Sequence, residues 1–102
     1  MNTTSEDESR SESFVFQLFV AGDEAHSRAA TDNLRRLCES HIDGRCEIQI
    51  VDVFKGFDIA LENGIFLTPA LIKVSPLPRA TIFGDLSNTK ELLTALQLTR
   101  DA

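Results

Sequence analysis

The chain is predicted to form an α/β domain with element order βαβαββα around a mixed four-stranded sheet. Three observations predict it. The run Phe14–Val20 (FVFQLFV) is apolar on both faces, which suits a central strand covered by helices on each side. A second run rich in Ile and Val, Cys46 to Val53, follows after one helix-length segment, so the two strands form a parallel, right-handed βαβ unit. The third run, Ala70 to Val74, is headed by Thr68-Pro69, and a central strand accepts proline only at its start or beside a bulge, because the ring removes a ladder donor.

The connecting elements follow in order. Ala21-Gly22-Asp23 breaks the first strand, and Ala25 to about Ser40 reads as a helix with Ala30, Leu34, Leu37 and Cys38 on one face. Arg28, Asp32, Arg35, Arg36 and Glu39 fall on its other faces, and Asp43-Gly44 turns the chain. A short helix over Phe57 to Glu62 stops at Asn63-Gly64. Pro76-Leu77-Pro78 forbids a helix and turns the chain, so Ala80 to Phe83 returns antiparallel and ends at Gly84-Asp85. Ser87 or Asn88 caps a last helix, with Glu91 three residues after Asn88, and Leu92, Leu93 and Leu96 form its buried face. The segment Leu96-Gln97-Leu98-Thr99 alternates like a strand, so the end of this helix is compatible with either structure. The order of elements is that of a thioredoxin-like sheet, in which the Thr68-Pro69 position holds a cis-proline.

At 102 residues the chain is long enough for one core without metal or disulfide support. Residues 1–13 are expected to be a disordered acidic tail carrying Glu6, Asp7, Glu8 and Glu12 against Arg10, and residues 14–102 the folded domain. A net charge of −6 argues against a phosphate-binding role, so no nucleic-acid partner is expected, and Arg35-Arg36 reads as a solvated helix face. Seven Phe with no Trp or Tyr read as core filling. No apolar run approaches the roughly 20 residues of a membrane span, and the polar N-terminus is not a signal peptide; the expected compartment is the cytoplasm.

The groups that thioredoxin-type chemistry needs are missing from their usual place. That chemistry puts a thiolate at the start of the first helix, where amides and dipole lower its pKa. Here the segment is Gly22-Asp23-Glu24-Ala25-His26-Ser27, with two acids that disfavour a thiolate or bound anion. Ser27 has only His26 as a neighbouring base, so these residues read as a helix cap and not as a catalytic site. Cys38 and Cys46 lie elsewhere, and with His41 they supply only three metal-ligand groups, so no metal or other cofactor is expected. The preferred reading makes them small buried or half-buried free thiols, with a labile disulfide as the alternative. Asp52 reads as a residue near a loop, with a ligand role as the alternative. Thr68-Pro69 reads as fixing strand entry; the alternative is a peptide- or glutathione-binding edge.

Val20-Ala21-Gly22, Val51-Asp52-Val53, Leu67 to Val74, Pro76-Leu77-Pro78 and Gly84-Asp85-Leu86-Ser87-Asn88 occur in an order and spacing that resemble the KaiB family of the cyanobacterial circadian clock and its bacterial relatives. The resemblance covers about residues 14–98. It implies a non-enzymatic partner protein that docks on the hexameric ATPase KaiC, so a KaiC-like ATPase or a KaiB-binding signalling kinase is the expected partner. It also implies homo-oligomers and two folds, one thioredoxin-like and one with a rearranged C-terminal half. Gly22, Thr68, Pro69, Gly84 and Asp85 are its structural positions. Clock members commonly carry Gly and Asp where Ala95 and Gln97 stand here. Replacing Gly by Ala favours a helix by roughly 0.8–1 kcal/mol, about a fivefold population shift, so the thioredoxin-like arrangement is the expected resting state. Glu47 and Gln49 replace small and basic residues, which alters the charge offered to a partner. The alternative function is a thioredoxin-like redox or glutathione-binding protein using Cys38 or Cys46.

Overall fold

A computed structural model describes residues 13–42 and 45–98. The tail expected over 1–13 lies outside the described residues except for Ser13, as does the Asp43-Gly44 turn. The elements are β1 (Phe14–Val20), α1 (Ala25–His41), β2 (Cys46–Asp52), α2 (Phe57–Glu62), β3 (Ala70–Ser75), β4 (Ala80–Phe83) and α3 (Thr89–Ala95). The four strands lie in the order β2-β1-β3-β4, with β1 and β2 parallel and the other two pairs antiparallel. The predicted mixed βαβαββα sheet is the observed one.

The two-sided apolarity of β1 explains why it is central. Phe16, Leu18 and Val20 face Ala30, Leu34 and Leu37 of α1 and Leu92 of α3, forming the larger core with Leu71. Phe19 points to the opposite face and packs with Ala60 of α2, Ile65, Ala70 and Ile72. Each of these large side chains contributes about 1.5–3 kcal/mol of burial. The face covered by α2 is the thinner one, because α2 has only six residues.

Both ends of α3 are defined by specific bonds. Asn88 is the N-cap, its Oδ1 accepting from the Glu91 N–H at 3.1 Å, as the Asn88–Glu91 spacing predicts. At the other end, the Leu98 N–H donates to the Leu93 carbonyl at 2.8 Å and the Gln97 N–H to the Thr94 carbonyl at 3.0 Å. Those two bonds, with Gln97 at φ 60°, constitute a Schellman stop. The alternating pattern from Leu96 onward therefore closes a helix and does not form a strand in this structure.

Two expectations are corrected. Of the seven Phe read as core filling, Phe16 and Phe19 are buried, while Phe54, Phe57, Phe66 and Phe83 are exposed at loops, the short α2 and the β4 edge. Cys38 and Cys46 are joined in a disulfide and are not free thiols. The α1 helix runs to His41, and Cys38 faces the sheet from its last turns. The parallel register pairs Cys46 with Phe14 at the foot of the sheet, leaving the two Cα atoms 6.1 Å apart, within bridging range. The burial reading holds, with Cys38 buried and Cys46 half-buried.

Candidate functional site

At the head of the sheet, the first turn of α1 is closed by its own side chains. Glu24 is the N-cap, its Oε1 accepting at 3.2 Å from both the N–H and the hydroxyl of Ser27. The Ser27 Oγ in turn accepts from the Ala21 N–H at 3.1 Å, so this buried hydroxyl is fully engaged. Partial loss of hydration pushes the Glu24 carboxyl up, but the hydrogen bonds from His26 and Ser27 outweigh it and hold the group below its ordinary value. An ionised carboxylate thus occupies the place where a thiolate or anion would sit.

Gly22 and Asp52, read separately from the sequence, meet here. Asp52 Oδ1 accepts from the Gly22 N–H at 3.2 Å and from the Phe54 N–H at 3.0 Å. Gly22 has φ 58°, and the Phe54 ring lies 3.4 Å from where a Cβ would stand. Asp52 therefore ties the loop after β1 to the loop after β2, in place of a ligand role. The Thr68-Pro69 bond is cis, and the Pro69 carbonyl accepts from the Gly84 N–H at 2.9 Å, so two more predicted positions come together. Gly84 adopts φ 113°, a region open to glycine but not to other residues.

Asp85 anchors the next turn to α1. Its backbone carbonyl accepts from Asn33 Nδ2 at 2.9 Å, its Oδ1 accepts from the Ser87 N–H, and its Oδ2 lies 3.8 Å from His26 Nδ1. The Ser87 side-chain and backbone bonds, aided by His26, hold its carboxyl below the ordinary value. Ala95 lies in the last turn of α3, and Gln97 is exposed beyond it.

The disulfide is remote from all of this. Ala70, next to Pro69, pairs with Phe19, whereas Cys46 pairs with Phe14. Five residues of strand separate those levels, about 17 Å. The structure does not bring the cysteines to the Pro69 loop. Among the described residues, no group of three His, Cys, Asp or Glu could hold a metal ion, and no helix is long and apolar enough to cross a membrane. Arg35 and Arg36 are exposed, Arg36 bonding Asn33 Oδ1.

An open surface lies between α1 and the edge of the sheet. A groove of about 390 Å³ is lined by Arg28, Thr31, Asp32 and Arg35 of α1 and by Ile50 of β2. Ile50 is 45% exposed although it stands in a strand, because β2 has a neighbour on one side only. On the opposite face of β2, Glu47, Gln49 and Gln17 form a polar chain, with Gln49 donating to Glu47 and Gln17 to Gln49. Sequence reasoning missed Ile50, since its neighbours spell a buried strand and only sheet order makes it an edge residue. It also missed Lys73, which is buried, donates to the Leu96 carbonyl at 3.4 Å and lies over the Phe14 ring.

This fold, without a cysteine pair at the head of α1, defines a member of the thioredoxin-like structural class outside the dithiol type. Solved structures agree on the class. The N-terminal domain of SasA from Synechococcus elongatus superposes with a TM-score of 0.64 at 22% identity, covering 88% of this chain and 89% of that one. Mitochondrial thioredoxin 3 from Saccharomyces cerevisiae superposes with a TM-score of 0.66 at 16% identity, covering 93% and 90%. The chain belongs to the KaiB family: residues 17–98 match the KaiB domain. The circadian clock oscillator protein KaiB of Prochlorococcus marinus is 36% identical over 88 residues, 86% of this chain and 82% of that protein. Its namesake from Synechococcus elongatus is 36% identical over 85 residues, 83% of each chain.

Proposed function

We propose that this protein is a non-enzymatic interaction module that regulates a KaiC-type ATPase or a signalling kinase in a clock or stress-response system. Family membership supports the clock-related setting. The observation that carries the docking reading is the groove between α1 and the edge of β2, where Ile50 stands half out in solvent between charged helix residues. An edge strand offers a row of backbone donors and acceptors, and an exposed branched aliphatic beside them supplies an apolar anchor. Arg28, Asp32 and Arg35 give the groove charges of both signs, so a partner carrying both acidic and basic residues around an apolar centre fits it. The thioredoxin-like arrangement is the proposed resting state, with Ala95 favouring the helical form of α3. The same edge is available to a second copy of the chain, which sedimentation velocity would detect.

The test is binding of the purified protein to a hexameric KaiC-type ATPase, followed by fluorescence anisotropy. Ile50→Asp is expected to weaken binding about 30-fold, the effect of removing an anchor worth about 2 kcal/mol. Binding that ignores this substitution refutes the surface. Turnover of a disulfide substrate that vanishes in the Cys38→Ser, Cys46→Ser double variant would assign the redox reading instead.

A further inference from the structure

We propose that Cys46 is a site of thiol–disulfide exchange with a small thiol of the glutathione class, and that the state of the Cys38–Cys46 bond sets the order of the leading end of β2. The two sulfurs are unequal. Cys38 is 4% exposed and belongs to the main core, whereas Cys46 is half-buried and opens the strand at the sheet edge. An incoming thiolate therefore reaches Cys46 Sγ from the unpaired side of β2.

The exchange balances in two steps. The thiolate attacks Cys46 Sγ, forms a mixed disulfide there and expels the Cys38 sulfur, which takes up a proton. A second thiolate attacks the sulfur of the bound thiol, releases the oxidised small-molecule disulfide and leaves Cys46 as a thiol. Two electrons pass from two small thiols to the protein bond.

The bond acts on β2 where backbone bonds already hold Ile42, Arg45 and Phe14. The Ile42 N–H donates to the Cys38 carbonyl, the Arg45 N–H to the Ile42 carbonyl and the Phe14 N–H to the Arg45 carbonyl. Those three bonds do not depend on the disulfide, so the protein stays native after reduction while the start of an edge strand, held by one neighbour, opens more often. This site lies about 17 Å along the sheet from the Pro69 loop, so it is separate from the place thioredoxin-like enzymes use. It does not depend on the docking reading. Should that reading also hold, the same bond tunes one border of the docking edge.

The test treats the reduced, full-length protein with oxidised glutathione and locates adducts by peptide mass spectrometry. The Cys38→Ser variant is expected to accumulate one adduct at Cys46, and the folded Cys46→Ser variant at least about tenfold less at Cys38, in line with its burial. In wild type the adduct is transient and resolves to the internal bond. Amides of Glu47 and Ile48 are expected to exchange about tenfold faster in the reduced than in the oxidised protein, with β3 amides unchanged. Equal adducts at both cysteines, an internal bond that does not form, or β2 exchange that ignores the redox state overturns the proposal. None of these readouts uses a partner, so its failure is distinct from failure of the docking reading.

Discussion

Gln97 is the sharpest place to test the account of α3. It holds the left-handed position of the helix stop at φ 60°, where an L-residue costs about 1–2 kcal/mol relative to glycine. It is exposed, so Gln97→Gly removes no packing. The new glycine also loosens the unfolded chain, an offset of roughly 0.4–1 kcal/mol. The net expectation is a gain of about 0.5–1 kcal/mol, which raises Tm by roughly 3–6 °C in a domain of this size. Ala95→Gly is the matched control. It introduces the same residue two positions earlier, inside the helix, and is expected to lower stability by about 0.8 kcal/mol. Urea unfolding followed by circular dichroism measures both, and amide exchange at Leu96 and Leu98 localises the effect. Opposite signs support the helix stop. A Gln97→Gly variant that is neutral or destabilised, or two variants that shift together, refutes the assignment of residues 93–98.

Asp85→Asn tests the anchor between the β4–α3 turn and α1. The Asp85 carboxyl is held below its ordinary 3.8, so its contribution is complete above the unfolded value and disappears as pH falls through the lower folded value. Wild type is therefore expected to lose more stability than Asp85→Asn between about pH 5 and pH 3 in urea titrations, and parallel curves would sink the idea. Ser27→Cys places a thiol where the first turn of α1 is already capped by Glu24. Burial and the adjacent carboxylate raise its pKa, so its alkylation near neutral pH is expected to be at least about tenfold slower than that of free glutathione.

Much of the fold was legible because local rules and burial agree. The FVFQLFV run has no polar face, and it is the strand with a neighbour on each side and helices on both faces. Asn88 with Glu91, and Pro69 at a strand head, are local devices whose outcome depends on adjacent residues alone. The missed features are those set by register. Lys73 alternates with Ile72 and Val74 in a run that reads as apolar, yet it lies on the α1 side, close enough to Leu96 to donate to the end of α3. Its long stem crosses apolar ground while the ammonium meets a helix C-terminus, where a cation is favoured. Nothing in the run itself announces that. The Cys38–Cys46 bond depends equally on the last turns of α1 meeting the first pair of β2, a matter of helix length and strand alignment together.

The two ends of the sheet have exchanged their usual roles. At the head, where relatives of this fold keep a reactive sulfur, Glu24 and Ser27 satisfy one another and Asp52 fastens the two neighbouring loops. An anion arriving there would displace the Glu24 cap, and the nearest guanidinium, that of Arg28, is already paired with Asp23 at 3.3 Å. At the foot, the sulfur pair joins α1 to the edge strand, a connection that constrains a surface and not a substrate cleft. The surface so constrained includes the β2 edge, whose Ile50 lies in the groove facing Arg28 and Arg35. Thiol chemistry at the head would need a cysteine in a segment that reads Gly22-Asp23-Glu24-Ala25-His26-Ser27. Recognition along the edge needs only an ordered strand beside a helix, and the Asp52 ties at one end and the disulfide at the other hold β2 in that form.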